Sequence, residues 1–327
     1  MLHFLGVDVG ATKTHALITD ETGQAVGFGL GGSGNHQVVG YEGLRDVLES
    51  AVGQAFNRAE LTASQIAGAG FGIGGYDWPP QLKDHLDAIA PLGLSCPLEV
   101  ANDSVIALLA GASRGWGLVL IAGTGSNCRG RDRSGREARI TGEGERFGEF
   151  GGAGSLVDKA VQAVSHEWTQ RGPRTTLTRM FIELAGAKDL DDLIEGIDLG
   201  CYHPDAHWAP TVFQEAHGGD EAAREVIAWA GRELGESACG VIRQLEIQEH
   251  QFEIVMAGSL FEGGDLFIDP LKATILKVAP AAEFVKLTAP PVVGGVVLGV
   301  IAAGMHPGMM RERLIDSTRE ILKSVAV

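Results

Sequence analysis

The sequence predicts an α/β protein built as two domains that face each other across a cleft. Two observations carry this reading. The chain opens with three apolar, β-rich runs and then alternates helix and strand signals, which is the order of a mixed sheet flanked by helices. From Gly115 the theme returns, because "GWGLVLIAGTGSNCRGRDRSGREARITG" is again an apolar strand, a break of Gly, Thr and Ser, and two further short strands. No repeat or linker-like tract is legible between the halves. The implied division is 1–115 and 116–310, with 311–327 as a C-terminal helix that packs back on the first domain.

The opening runs are His3 to Val9, His15 to Asp20 and Gln24 to Leu30, and "DETGQ" forms the turn between the last two, so they read as an antiparallel meander. From Tyr41 to Ala59, residues Leu44, Val47, Leu48, Ala51, Val52 and Ala55 recur at helical spacing. Next come "IAGAGFGIGG", a strand ending in a glycine loop, "PPQLKDHLDAIA", a helix with proline at its start, and "PLEVAND", a strand ending in polar residues. Gly74, Gly75, Asn102 and Asp103 thus fall at the carboxyl ends of strands, where open α/β sheets place ligands. The second half carries helices at Ser155 to Gln170, Thr175 to Ala185 and Asp220 to Ile247, the last with one continuous apolar stripe, and "FEIVMAGSLFEGG" is a strand ending in Ala-Gly-Ser. From Leu287 to Met310 no Asp, Glu, Lys or Arg occurs, a length that can cross a bilayer. Pro290, Pro291 and Pro307 and four interrupting glycines argue instead for a loop and a buried helix from Gly294 to Ala303. Met310 to Val325 reads as a final amphipathic helix.

At 327 residues and 45% hydrophobic composition, the chain has room for two packed domains. A net charge of −16 argues against nucleic-acid binding, whose affinity comes from Lys and Arg on phosphates. An anionic small ligand would have to be held locally, by backbone N–H groups, helix N-termini or Mg²⁺. The four cysteines form no C-x-x-C pair and imply neither a zinc module nor a disulfide framework, and no secretory signal is readable, so a cytoplasmic, membrane-free protein is expected.

The chemistry begins where the first strand breaks, in "GVDVGATKT". A carboxylate (Asp8), a glycine (Gly10), two hydroxyls (Thr12, Thr14) and a cation (Lys13) are what a loop around a metal-bound phosphate uses. A tight turn with polar decoration is the plainer reading, and Lys13 reads either as a phosphate contact or as a solvated turn charge. In "AGTGSN", Gly123 and Gly125 let backbone N–H groups approach an anion while Thr124 and Ser126 supply hydroxyls. In "ANDS", Asp103 reads either as a general base aimed into the cleft or as an N-cap for the helix that follows.

Taken in order, "GVDVGATKT", "EVANDS", "IAGTGSNC", "VMAGS" and "PPVVGGVVLG" resemble the signature segments of the sugar kinase, Hsp70 and actin superfamily, and within it the N-acetylglucosamine kinase branch of the BadF/BadG/BcrA/BcrD ATPases. The resemblance implies two actin-like (ribonuclease H-like) domains, each a mixed sheet flanked by helices. It implies ATP and Mg²⁺, with Gly10, Ala11, Thr12, Lys13 and Thr14 as one phosphate segment, Gly123, Thr124, Gly125 and Ser126 as the second, and Gly258 with Ser259 beside the adenosine. Asp8 matches the carboxylate that holds Mg²⁺ through water, and Asp103 the catalytic base. Asn35, His36, Asn102, Asp103, Asn127 and Gly151 match positions around the sugar. A homodimer is implied in the same way.

One segment departs from the pattern: the family carries Gly-Asp-Glu-Gly-Ser where this chain reads "GGAGS" at Gly151 to Ser155, so two carboxylates are missing at Gly152 and Ala153. Glu143, Glu145 and Glu149 are the nearby acids that would substitute, and restoring Asp and Glu should sharpen discrimination among sugars. The expected activity is ATP-dependent phosphorylation of an amino sugar, N-acetylglucosamine at O6 leading. The alternatives are an ATPase that activates a reductase or dehydratase through a shared iron–sulfur cluster, and a sugar sensor without catalysis.

Overall fold

The computed structural model describes residues 1–325, so 326–327, the end of the expected C-terminal segment, lie outside the described residues. The first half runs β1 (His3–Val9), β2 (Thr14–Asp20), β3 (Ala25–Gly31), α1 (His36–Ala59), β4 (Ile66–Ile73), α2 (Leu82–Ile89), β5 (Leu98–Ala101) and α3 (Asp103–Gly111). The second runs β6 (Gly117–Ala122), β7 (Ser126–Arg131), β8 (Glu137–Arg139), α4 (Ala153–Trp168), α5 (Thr176–Ala185), α6 (Leu190–Asp198), α7 (Ala209–His217), α8 (Glu221–Leu245), β9 (Glu253–Ala257), α9 (Asp265–Leu276) and β10 (Glu283–Lys286). Two helices close the chain, α10 (Val292–Ala302) and α11 (Arg311–Val325).

Each half builds a five-stranded sheet, ordered β3-β2-β1-β4-β5 and β8-β7-β6-β9-β10. In both, the first three strands are antiparallel and the next two are parallel additions. The halves therefore repeat one topology, although no sequence repeat announces it. The physical reason is that a sheet needs only the period and order of its apolar runs.

Helix α1 begins at His36, five residues before the apolar periodicity, because Asn35 caps it and Gly40, at φ 70°, interrupts its first turns. Helix α10 is apolar on every side and buried from Val292 to Val300. Val292, Val293, Val296 and Val297 share a core with Phe4, Leu17, Phe28 and Val105, so this helix packs on the first sheet and α3, not within the 116–310 unit. It lies almost in backbone contact with the strands, since a Cβ on Gly70 would meet the Gly295 carbonyl at 2.2 Å. Helix α11 returns to the same half: Ser317 Oγ accepts from Ala25 N at 3.1 Å and donates to Gly23 O at 2.8 Å. Among the described residues no helix is long and apolar enough to cross a membrane.

Candidate active site

The carboxyl ends of β1, β4 and β5 in the first sheet come together, and glycines decide how closely. Gly74 N donates to Val9 O at 2.7 Å, tying the end of β4 to the end of β1. A Cβ on Gly74 would stand 3.1 Å from Asp103 Oδ2, and one on Gly75 2.4 Å from Asn35 Oδ1 and 3.2 Å from the His36 ring. This loop therefore assembles Asp103, Asn35 and His36 around bare backbone.

Asp103 is not the cap of its helix. That task falls to Asn102, whose Oδ1 accepts from Ser104 N at 3.0 Å. The Asn102 Nδ2 donates to Tyr76 O at 3.1 Å and Asp77 Oδ1 at 3.3 Å, so its amide is engaged within the protein and positions its neighbours. Burial pushes the Asp103 carboxyl above the usual carboxylate range, against the opposing pull of the Ser104 N–H and the Arg129 charge. Asp8, at the end of β1, is raised to about 7, first by burial and then by the Asp103 charge, with Lys13 offsetting part. Two half-buried carboxylates that repel each other are a donor set completed by a cation. Among the described residues no group of three or more His, Cys, Asp or Glu forms a metal cluster, and Mg²⁺, which keeps most of its water, asks for fewer.

Of the first phosphate segment, Ala11, Thr12 and Lys13 are exposed in a turn closed by Gly10 N donating to Lys13 O at 2.9 Å. Thr14 is buried and donates to Gly32 O at 3.0 Å, so its hydroxyl is used within the fold. In the second segment, a Cβ on Gly123 or Gly125 would meet nothing within 4 Å, and Thr124 is exposed. Ser126 Oγ donates to Phe150 O at 3.0 Å. Gly258, at φ 113°, brings the end of β9 so near β6 that a Cβ would lie 2.2 Å from Ala122 O, and it leaves Ser259 exposed beside the loop.

The "GGAGS" segment is packed against this loop. Ala153 N donates to Gly123 O at 2.8 Å and Gly154 N to Thr124 O at 3.0 Å, while a Cβ on Gly152 would sit 2.5 Å from the Gly125 carbonyl carbon. Ala153 is itself part of the core. Restored Asp and Glu at 152 and 153 would therefore displace the loop and the core, which corrects the expectation drawn from the sequence. Gly151 is also buried, at φ 106° against Leu234, and faces no open space. Of the neighbouring acids, Glu143 and Glu145 are exposed, whereas buried Glu149 accepts from the backbone N–H groups of Thr141, Gly142, Glu143 and Gly144. Asn127 lies beside this loop, its Oδ1 buried without a hydrogen-bond partner.

Sequence reasoning missed the residues that span the halves. Arg129 on β7 donates from Nη2 to Asp77 Oδ1 at 2.7 Å, and Arg131 donates to Glu99 at 2.6 Å. The alternation in "SNCRGR" signals side chains on one strand face, but not what they meet across the cleft.

Comparison with known proteins follows the same lines. Residues 5–299 match the profile of the BadF/BadG/BcrA/BcrD ATPase family. The chain is 25% identical over 300 residues to an N-acetylmuramic acid/N-acetylglucosamine kinase from Clostridium acetobutylicum, covering 91% of this chain and 98% of that protein. It is 26% identical over 317 residues to an N-acetyl-D-glucosamine kinase from Dictyostelium discoideum, covering 91% and 97%. A solved structure from Chromobacterium violaceum, provisionally assigned as an N-acetylglucosamine kinase, superposes with a TM-score of 0.59 at 22% identity over 91% of this chain and 99% of that one. The fold is the actin-like fold of sugar kinases.

Proposed function

Because the chain belongs to the BadF/BadG/BcrA/BcrD ATPase family, we propose that it is an ATP-dependent kinase that phosphorylates a primary hydroxyl of an amino sugar, O6 of an N-acetylglucosamine-type ring. The observation that carries this is the convergence of Asp8 and Asp103 beside the Gly74 turn, in a chain whose second glycine loop leaves open space above Gly123 and Gly125. The names of two relatives support the choice of an amino sugar.

Phosphoryl transfer asks the protein mainly for position and charge. Asp103 accepts the proton of the attacking hydroxyl, and its raised pKa makes the carboxylate a stronger base than an ordinary aspartate. The oxygen so freed bonds to the γ-phosphorus of ATP as the bond to the β-phosphate oxygen breaks, and ADP leaves. The backbone N–H groups of Thr124 and Gly125, with the exposed hydroxyls of Thr12 and Thr124, hold phosphate oxygens, while the Gly123 N–H closes the loop on Gly125 O. Gly258 and Ser259 border the adenosine. Asp8 would hold Mg²⁺, which neutralises phosphate charge when bound. Asn35 and His36 on the first half and Asn127 on the second face the sugar.

The test is coupled ADP release with N-acetylglucosamine, N-acetylmannosamine, N-acetylmuramic acid, glucosamine and glucose. Sugar-dependent release with at least one acetamido sugar is expected. Release that no sugar stimulates overturns the reading.

A further inference from the structure

Side chains on β7 alternate between two faces. Cys128 and Gly130 turn toward the core of the second half, where Cys128 is buried and a Cβ on Gly130 would meet Leu245 at 2.7 Å and Val241 at 2.9 Å. Asn127, Arg129 and Arg131 therefore share the other face. From it both arginines cross to the first half, Arg129 Nη2 donating to Asp77 Oδ1 at 2.7 Å and Arg131 Nη1 to Glu99 Oε1 at 2.6 Å.

The two ties end in different surroundings. Glu99 lies within β5, whereas Asp77 follows the Gly74–Gly75 turn and gathers what surrounds Asp103. Its Oδ1 also accepts from Asn102 Nδ2 at 3.3 Å, and its Oδ2 accepts from Gln37 Nε2 at 3.4 Å, at the head of α1. Asn102 in turn accepts from Ser104 N at 3.0 Å, so Asp103 sits between two residues fixed by one chain of hydrogen bonds that starts at Arg129. The Arg129 charge also favours the ionised form of Asp103.

Folding alone does not account for this arginine. Its side chain is 7% exposed and its Nε is buried without a partner, and a buried ion pair commonly stabilises a fold no better than apolar side chains of the same volume.

We propose that Arg129 is the positioning residue of the base: from the second half, through Asp77 and Asn102, it fixes the turn that presents Asp103 to the acceptor hydroxyl. The proposal rests on the kinase reading. Since the 123–125 loop leads directly into β7, the strand that follows the phosphate loop also sets the base, and one element aligns nucleotide and acceptor.

The test uses Arg131→Gln as its control, because that variant breaks the sister tie on the same strand face and leaves the Asp103 turn alone. In coupled ADP release, Arg129→Gln should lower kcat about 10²-fold, the scale of a small misplacement of a reacting group, with KM for ATP nearly unchanged. Arg131→Gln should keep kcat and lose only stability. Arg129→Lys, which returns a charge within reach of Asp77, should recover part of the loss. Asp77→Asn should also lower kcat, and the Arg129→Gln/Asp77→Asn double variant should be no slower than the slower single one, because both act along one path. Amide hydrogen exchange reads the turn without turnover: the Ser104 N–H, held by Asn102, should exchange faster in Arg129→Gln and not in Arg131→Gln. Should Arg129→Gln fail to fold by circular dichroism, Arg129→Lys and Asp77→Asn against Arg131→Gln decide the same question. A parental kcat in Arg129→Gln, or an equal fall in Arg131→Gln, overturns the proposal and leaves the kinase reading intact. If no sugar stimulates the parent the kinase reading fails, yet faster Ser104 exchange in Arg129→Gln alone still supports Arg129 as the residue that fixes the turn. Unchanged exchange then overturns both.

Discussion

Asp103 shows what one residue can and cannot disclose. An aspartate at the head of a helix reads as a cap, a base or both, and the fold gives the cap to Asn102. Asp103→Asn keeps the side-chain shape but cannot accept a proton. We expect kcat to fall by about 10²-fold to 10⁴-fold, the usual cost of losing a general base, with melting temperature and ATP affinity nearly unchanged. Retained kcat at saturating sugar would remove Asp103 from the mechanism. Asn102→Ala should behave in the opposite way, lowering stability by about 1 kcal/mol as a lost cap does. Chemical denaturation of the two variants side by side measures the contrast.

At the level of elements, the loops are the informative units. Gly125→Val should leave the fold intact, because the space above Gly125 is empty, and should weaken nucleotide binding because that space is where phosphates would lie. Unchanged ATP affinity in calorimetry would make the loop a plain hairpin turn. Gly152→Asp should instead lower both melting temperature and ATP affinity, since its Cβ enters the backbone of the same loop. Strand β2 supplies a pH dependence. His15 is lowered from 6.5 to about 4, first by burial and then by the Lys13 charge. Between these values the unfolded chain binds a proton that the folded chain refuses, so this contribution to stability is full above pH 6.5 and declines as pH falls toward 4. His15→Gln should flatten the stability loss between pH 7 and pH 5 in urea unfolding, and a variant that loses as much as the parent would exclude the effect.

The whole molecule is held by a helix distant in sequence from the sheet it covers. Helix α10 lies on β1 and β4 because Gly6 and Gly70 on the strands and Gly295 and Gly299 on the helix remove the side chains that would keep them apart, and Gly294 does the same against α3. A Cβ on Gly294 would come 1.7 Å from Ile106 O, so no rotamer relieves it. Gly70→Val should cost more than about 3 kcal/mol, the upper end for forcing bulk into a packed core, whereas Gly32→Ala, with nothing within 4 Å, should stay within about 0.5 kcal/mol. Urea midpoints of the two variants decide this. The ion pairs Arg129–Asp77 and Arg131–Glu99 add polar ties across the cleft.

The sequence by itself marked the two opening meanders, the later strands as far as β9 and the glycine loops at strand ends, because apolar period and glycine placement are local properties, whereas β10 and the order of strands within each sheet were not legible in it. Only the tertiary structure decided what depends on distance through space. It buried Thr14 and Gly151, committed the amide of Asn102 and the carboxylate of Glu149 to backbone N–H and carbonyl groups, and closed position 152 to a carboxylate. It also brought α10 back onto the first sheet and set Arg129 and Arg139 in one cavity with Asp77 and Trp78. Those pairings join residues tens to hundreds of positions apart, and no local pattern encodes which side chain a strand will meet across a cleft.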